Sequence, residues 1–553
     1  MEYTYRGKVS EELIEKALSA YEAYKADKQG LNDRICENDR WYKRWHEVNC
    51  DPVYRPDSNT LNSATAYVFS AIENKYADAI DNFPVPTVLE REPSDTQTAQ
   101  LLSKILPVQL DLSGFKKCYK RNWRRKLKFG TGVYGVFYNA EKDDIELQAL
   151  NILSVYCDMK IPDVQESQFL FLSQAIDNAA LRNQYPEFAP LFEGDAAVDT
   201  FDGPATVRDR SEVLDCYYKK PDGSVHLIKF VRGQVIDASE DIPGYEKGIY
   251  AHGLYPVVFD VLYPQEDCPF GYGIVDIIRN PQMYVDQLDG IILKNAALSG
   301  KQRWLVKDRG AINEEEFKDW SCDIVHVDGS LDESHIRSVQ AGGLSDFILQ
   351  HRLEKINELK EVIGNRDFQQ GGTTGGVTAA SAISSLQQAG EKLSRSLIDD
   401  SFDAYKELIV MCVELIREFY SAERIYRITN ELGNIEFAQF SNALMTHVDY
   451  ERDALGFPVA VKCRRAEFDI EIIPKRNSPN SREKNNQVVL ELWKNGFFQP
   501  GQTEMALAAL ESMNFDGKER LMENLKKLKG ATEYGLSDNT GRPAETGIEE
   551  GGE

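Results

Sequence analysis

The sequence predicts an α+β fold, mainly helical, on three observations. Apolar residues recur at helical spacing over residues 9–50, from about 58 to 80, and over 95–128. Character then changes: residues 131–240 alternate apolar and polar positions and carry turn signals. Strands therefore cluster in one block and do not alternate with helices, as a doubly wound parallel sheet requires. From about residue 271 helix-period segments return, one of them running from about 378 to 421. At roughly 150 residues per domain, 553 residues correspond to about three or four domains, or to one elongated chain of several parts.

Each element has a local reason. Ser10 followed by Glu11 and Glu12 is a helix start, because a serine oxygen answers the free first-turn amides and acids suit the positive helix end. Leu13, Ala17, Ala20, Tyr21 and Tyr24 form its apolar stripe. Asp57 and Ser58 precede the second helix, with Ala64, Val68, Ile72, Tyr76 and Ile80 at spacing four. The two prolines of NFPVPTVLER then favour extended chain. Within the strand block, Pro221-Asp222-Gly223 predicts a hairpin, since glycine takes the positive φ, and a short helix is expected at about 173–185.

Asn280-Pro281 reads as the cap and first turn of a helix carrying Met283, Leu288, Ile291, Ile292 and Leu298, stopped by Ser299-Gly300. A small unit follows: RWLVKD as a strand, NEEEFKDW as a short helix capped by Asn313, DIVHVDG as a second strand. A helix over about 344–363 returns, with Leu344, Ile348, Ile356, Leu359 and Ile363 on one side, and ends at Gly364. The polar, glycine-rich stretch to residue 377 reads as a flexible loop. The following helix buries Ile383, Leu386, Leu393, Leu397, Phe402, Leu408, Cys412, Leu415 and Phe419. Its 44 or so residues would span about 65 Å, with Gly390 as a place to kink. Residues 424–474 return to strand character, with RIYRITN, NIEFAQF and FDIEIIP, and residues 482–529 read as helices. The tail from Ala531, with five glycines, six acidic residues and one basic residue, is expected to be disordered.

A net charge of −25 argues against a protein that coats duplex DNA, which needs a dominant cationic surface. It leaves open one that surrounds DNA without gripping it. No apolar run reaches the roughly 18 residues needed to span a bilayer. The best, residues 405–421, carries Lys406, Glu407, Glu414, Arg417 and Glu418 and reads as a core helix, so no membrane partner is expected. The N-terminus has no apolar signal-peptide core, and nine cysteines without a CxxC pair read as reduced thiols of a cytosol-made protein.

GGTTGG lacks the lysine a phosphate loop requires, so it reads as a flexible connection. Cys322, His326 and His335 fall short of the four convergent ligands of a structural zinc site. There is no GxSxG, HExxH or cysteine elbow, the seven histidines are dispersed, and Asp143-Asp144 and Asp399-Asp400 suit a turn and a helix face. No catalytic residue, metal or cofactor is expected, and the chain does not read as an enzyme. One charge feature is concentrated. In FKKCYKRNWRRKLKFG, Lys116, Lys117, Lys120, Arg121, Arg124, Arg125, Lys126 and Lys128 place eight cations in thirteen residues, interleaved with Tyr119 and Trp123. Three readings stand: contact with nucleic-acid phosphates, docking on an acidic neighbour such as a second copy or the capsid shell, or a solvated helix face.

The order of parts resembles a portal protein of a tailed bacteriophage. The resemblance runs through GTGVYGVFYN, NILSVYCD, PFGYGIVDIIRNPQMYVDQLDGIILKNAAL, RWLVKDRGAINEEEFKDW, IVHVDG, GGTTGGVTAASAISSLQQAGEKLSRSLIDDSF and IEIIPKRNSPNSREKNN, covering roughly residues 30–530. It lies in the succession of elements, not in any single motif. It implies an elongated subunit of several parts: an α/β wing (1–270), a first stem helix (271–298), a small α/β clip (299–337), a second stem helix (338–364), a tunnel loop (365–377), a long wing and crown helix (378–423), returning wing strands (424–480), crown helices (481–530) and the acidic tail (531–553).

The implied function is a homo-oligomeric ring, usually of twelve copies, at one capsid vertex of the virion, made in the host bacterial cytoplasm. Viral double-stranded DNA would enter and leave through it. Implied partners are the terminase large subunit, a head–tail adaptor protein, and the major capsid and scaffolding proteins. Carried onto this chain, the clip residues for docking are Arg303, Trp304, Glu314, Glu315, Glu316 and Trp320, and the tunnel-loop residues Asn365, Arg366, Gln369, Gln370, Thr373 and Thr374. Polar, mostly uncharged side chains suit a channel in which DNA must slide; Arg366 is the exception. The alternatives are another capsid or head–tail component, or a DNA-processing enzyme that uses the basic 116–128 segment.

Overall fold

Ser10 has extended backbone, and its Oγ accepts the Leu13 amide, so helix α1 (Glu11–Tyr42) begins where a capping serine places it. The structure, a computed structural model, describes residues 5, 7–46, 64–245, 248–299, 303–306, 315, 336–339, 344–364, 392–429, 435–452, 458–476, 488–496, 503–512, 520–522 and 524–527. The helix stops short of the expected residue 50. Arg44 turns left-handed (φ 59°), and the amides of Arg44 and Trp45 bond back to Trp41 and Arg40, a closure that satisfies the last carbonyls.

Helix α2 (Tyr67–Asp81) leads into the proline-bearing strand β1 (Asn82–Glu90). The single helix expected over 95–128 is two: α3 (Thr96–Leu112) and α4 (Phe115–Phe129), parted at Ser113-Gly114, where Gly114 takes a φ of 74°. The strand block follows: β2 (Thr131–Asn139), β3 (Asp144–Leu150), β4 (Val155–Tyr156) and β5 (Phe169–Asp177). The helix expected at 173–185 is shorter, α5 (Asn178–Gln184). Residues 173–177 stay in β5 because they pair with the strand beginning at Arg210, and Asp177 then caps the Ala179 amide. Next come β6 (Ala196–Thr200), β7 (Gly203–Val207), β8 (Arg210–Lys219), β9 (Val225–Val231) and β10 (Gln234–Ala238). The hairpin at Pro221-Asp222-Gly223 joins β8 to β9 with Gly223 at φ 85°.

After β11 (Val257–Val261), β12 (Tyr263–Gln265) and β13 (Cys268–Tyr272), helix α6 (Ile274–Ser299) starts two turns before the expected Asn280-Pro281. Asp276 accepts the Gly273 amide at the helix start, and Ile274, Val275 and Ile278 are already buried, so Pro281 lies inside the helix. Strand β14 (Arg303–Val306) pairs with β15 (Ile336–Val339); residues 338 and 339 are thus strand, not stem helix. Helix α7 (Asp346–Ile363) ends at Gly364, left-handed at φ 71°. Helix α8 (Lys392–Phe419) occupies the described part of the expected long helix and ends two residues before 421; residues 378–391 lie outside the described residues. Strands β16 (Arg424–Thr429), β17 (Ile435–Phe440), β18 (Thr446–Arg452), β19 (Pro458–Arg465) and β20 (Phe468–Arg476) and helix α9 (Thr503–Ser512) complete the order. The expected acidic tail lies outside the described residues.

The chain divides into two units. The first holds residues 1–78, 117–136 and 148–404; the second holds 79–116, 137–147 and 405–553. Every passage between them falls inside an element: α2, α4, β2, β3 or α8. In the first unit, an antiparallel sheet in the order β10–β9–β8–β5–β4 receives the α1 stripe. Ala17 and Tyr21 pack there with Phe171, Leu214, Cys216 and Ile228, edged by Leu13, Ala20 and Tyr24. In the second unit, β1 pairs with β20. Helix α3 packs on β1 and on the β16–β17 ribbon, whose Tyr426, Ile428 and Phe440 are buried. The fold is α+β.

Candidate functional site

Burial sorts the eight cations of α4. Phe115, Tyr119, Asn122, Trp123, Lys126 and Leu127 form its inward side. Lys126, 0% exposed, pairs with Asp260 of β11, 1% exposed, and the other Asp260 oxygen accepts the Ser401 hydroxyl at 2.7 Å. Burial raises the Asp260 pKa, while Lys126 and Ser401 work to hold it down. Lys128 Nζ lies 2.6 Å from Asp39 and within 4.8 Å of the Tyr42 ring centre. Arg124 forks onto Glu73 at 3.2 and 3.1 Å and lies 4.1 Å over the Tyr76 ring. Arg125 donates to the carbonyls of Ala149 and Leu150, and burial, then the neighbouring Arg121, pulls its guanidinium down to about 10. Lys116, Lys117, Lys120 and Arg121 are exposed, and none forms an ion pair with a described residue.

The root of α6 is a second polar construction. Gln282 Oε1 accepts the Val68 amide at 2.8 Å, and its Nε2 donates to the Thr65 carbonyl at 2.9 Å. Asp286 Oδ1 accepts the amide and hydroxyl of Thr65 at 2.7 and 2.6 Å. Its Oδ2 lies 3.0 Å from Nε2 of His46, whose ring stacks on Trp41. Side chains of α6 therefore satisfy amides at the start of α2, which would otherwise be orphaned in the interior. Farther along, Arg352 of α7 grips both oxygens of Asp289 of α6, and the two helices pack together. Ile356, Leu359 and Ile363 are buried, but Tyr284 (51% exposed), Phe347 (70%) and Leu353 (57%) face outward, with Ile291, Leu349 and Val362 also exposed.

The residues expected in the tunnel loop, Asn365, Arg366, Gln369, Gln370, Thr373 and Thr374, lie outside the described residues, as do Glu314, Glu316, Trp320, Cys322, His326 and His335. Arg303 and Trp304 belong to β14, in register with Val339 and Ser338 of β15, and Glu315 is helical and exposed. Gln282, Asp286 and Lys28 were not singled out from the sequence. Each is a buried polar residue beside other buried polar residues, Lys28 near Asn32 and Gln282 one turn from Asp286, so apolar periodicity gave no signal for them. Among the described residues, no His, Cys, Asp and Glu cluster is placed to hold a metal, and no helix is long and apolar enough to cross a membrane.

The model of one protein family, described as phage P22-like portal protein, matches residues 222–546, more than half of the chain. No curated protein matches it. The matched stretch contains α6, β14, β15, α7 and α8; the basic helix α4 precedes it.

Proposed function

The chain belongs to the phage P22-like portal protein family, and from that premise we propose that its copies close into a ring at one capsid vertex, through which viral DNA is packaged and later leaves. Besides family membership, one observation supports the ring. The α6–α7 pair leaves Tyr284, Ile291, Phe347 and Leu353 open to water in a single subunit. Large apolar side chains left in water on a helix pair are side chains that a partner can cover. A head-to-tail contact repeated around a closed ring covers them on every copy.

In this reading α6 and α7 are the stem and residues 299–337 the clip, on which the terminase large subunit docks before a head–tail adaptor replaces it. Residues 365–377 are the tunnel loop, residues 1–270 and 424–480 the wing, and 481–530 the crown, set among major capsid and scaffolding proteins. The net charge of −25 keeps the duplex from adhering, and Asn365, Gln369, Gln370, Thr373 and Thr374 offer it only transient hydrogen bonds.

The test is the mass and the image of the purified full chain. Light scattering should give a multiple of the 62.7 kDa subunit, and negative-stain images a closed ring with a central hole. Phe347→Glu with Leu353→Glu should leave the circular dichroism unchanged and abolish the ring. A wild type that stays monomeric at micromolar concentration overturns the proposal.

A further inference from the structure

Helix α4 is built to receive carboxylates. Arg124, Lys126 and Lys128 take Glu73, Asp260 and Asp39 from three other elements of the same chain. Lys116, Lys117, Lys120 and Arg121 are the same kinds of side chain one or two turns earlier, exposed and with no such partner among the described residues. At 100° per residue they cover an arc of about 140°, opposite the inward Phe115, Tyr119 and Lys126. They lie within about 8 Å of helix length. The result is a compact positive face on a chain of net charge −25.

We propose that this face docks on a carboxylate-bearing surface of a second copy of the chain, each copy presenting α4 to one neighbour. The inference rests on the ring reading above. Copies that each carry −25 repel one another, so a ring needs contacts of opposite sign to offset that repulsion. Four cations on each copy that have no ion-pair partner among the described residues, facing an acidic neighbour, supply them. Nucleic acid fits less well, because a surface that tracks phosphates continues along the backbone. Here the cationic run is bounded in sequence by exposed Asp111 and Leu112 before it, and after it by Arg124, whose charge Glu73 already answers.

The experiment uses the full chain and two variants. One carries Lys116→Gln, Lys117→Gln, Lys120→Gln and Arg121→Gln; the other carries Lys120→Glu and Arg121→Glu. The fraction of chain in rings is measured by light scattering against protein concentration at about 0.1 M and about 0.5 M salt. Binding to a short DNA duplex is measured alongside. Neutralisation should raise the concentration for half-assembly by about tenfold, reversal should raise it further, and added salt should weaken the wild-type ring but not the neutralised one. Rings of wild-type concentration and salt dependence in both variants overturn the inference and leave the ring reading standing. Unchanged assembly with lost duplex binding overturns it in favour of DNA. A wild type that forms no ring overturns both readings together.

Discussion

Lys28 lies on the α1 face that packs into the first unit's core, wholly buried, donating to the carbonyls of Ile152 and Val155 at 2.5 Å each. Its ammonium sits 4.6 Å from the Tyr156 ring centre and 5.4 Å from that of Phe270. Burial nonetheless pulls its pKa down to about 7. Between that value and the unfolded lysine's ordinary one, the unfolded chain holds the extra proton, so stability rises with pH through this window and is lost as pH falls toward 7. The denaturation midpoint should therefore climb between pH 7 and 9, by at most about 1.4 kcal/mol per pH unit, and Lys28→Met should flatten that slope. The same logic separates the cations of α4. Lys126→Met strands Asp260 in the interior and should cost about 3–5 kcal/mol in urea unfolding, whereas Lys120→Met should stay within about 0.5 kcal/mol. Ser10, Gly223 and Gly364 were legible in the sequence because each acts on amides or dihedrals a few positions away. Lys28 was not, because its acceptors lie 124 and 127 positions along the chain.

At the scale of elements, the polar root of α6 does what local sequence does not do for α2. Tyr67 follows no capping side chain of its own turn, and the cap comes from Gln282 and Asp286, more than 200 positions later. Asp286→Ala removes the acceptor of the Thr65 amide and hydroxyl and the partner of His46, all poorly reached by water. It should lower stability by about 2–4 kcal/mol, read as a drop in melting temperature, while the surface change Glu354→Ala should leave it unmoved. Periodicity found most helices but misplaced several of their limits, two of them for instructive reasons. A glycine at positive φ splits α3 from α4 without disturbing the apolar spacing on either side. Asn280-Pro281 carries the chemistry of a helix start, yet Asp276 caps the turn where the buried face begins. Strands β18 and β19 fall within residues 424–474, where the sequence already reads as strand, and their pairing shifts register between Asp449 and Tyr450.

For the whole molecule, the α+β class and the portal family were readable, because they depend on many residues at once. The division into two units was not, since contacts across hundreds of positions define it. That division falls at 78/79, 116/117, 136/137, 147/148 and 404/405, and each junction lies within a hydrogen-bonded helix or strand. Domains that evolution shuffles are usually joined through loops, where a break is harmless. Here a crossover at any junction would splice half a helix or half a strand from one ancestor onto half from another. Neither unit is a contiguous stretch that could be lifted out and passed on alone.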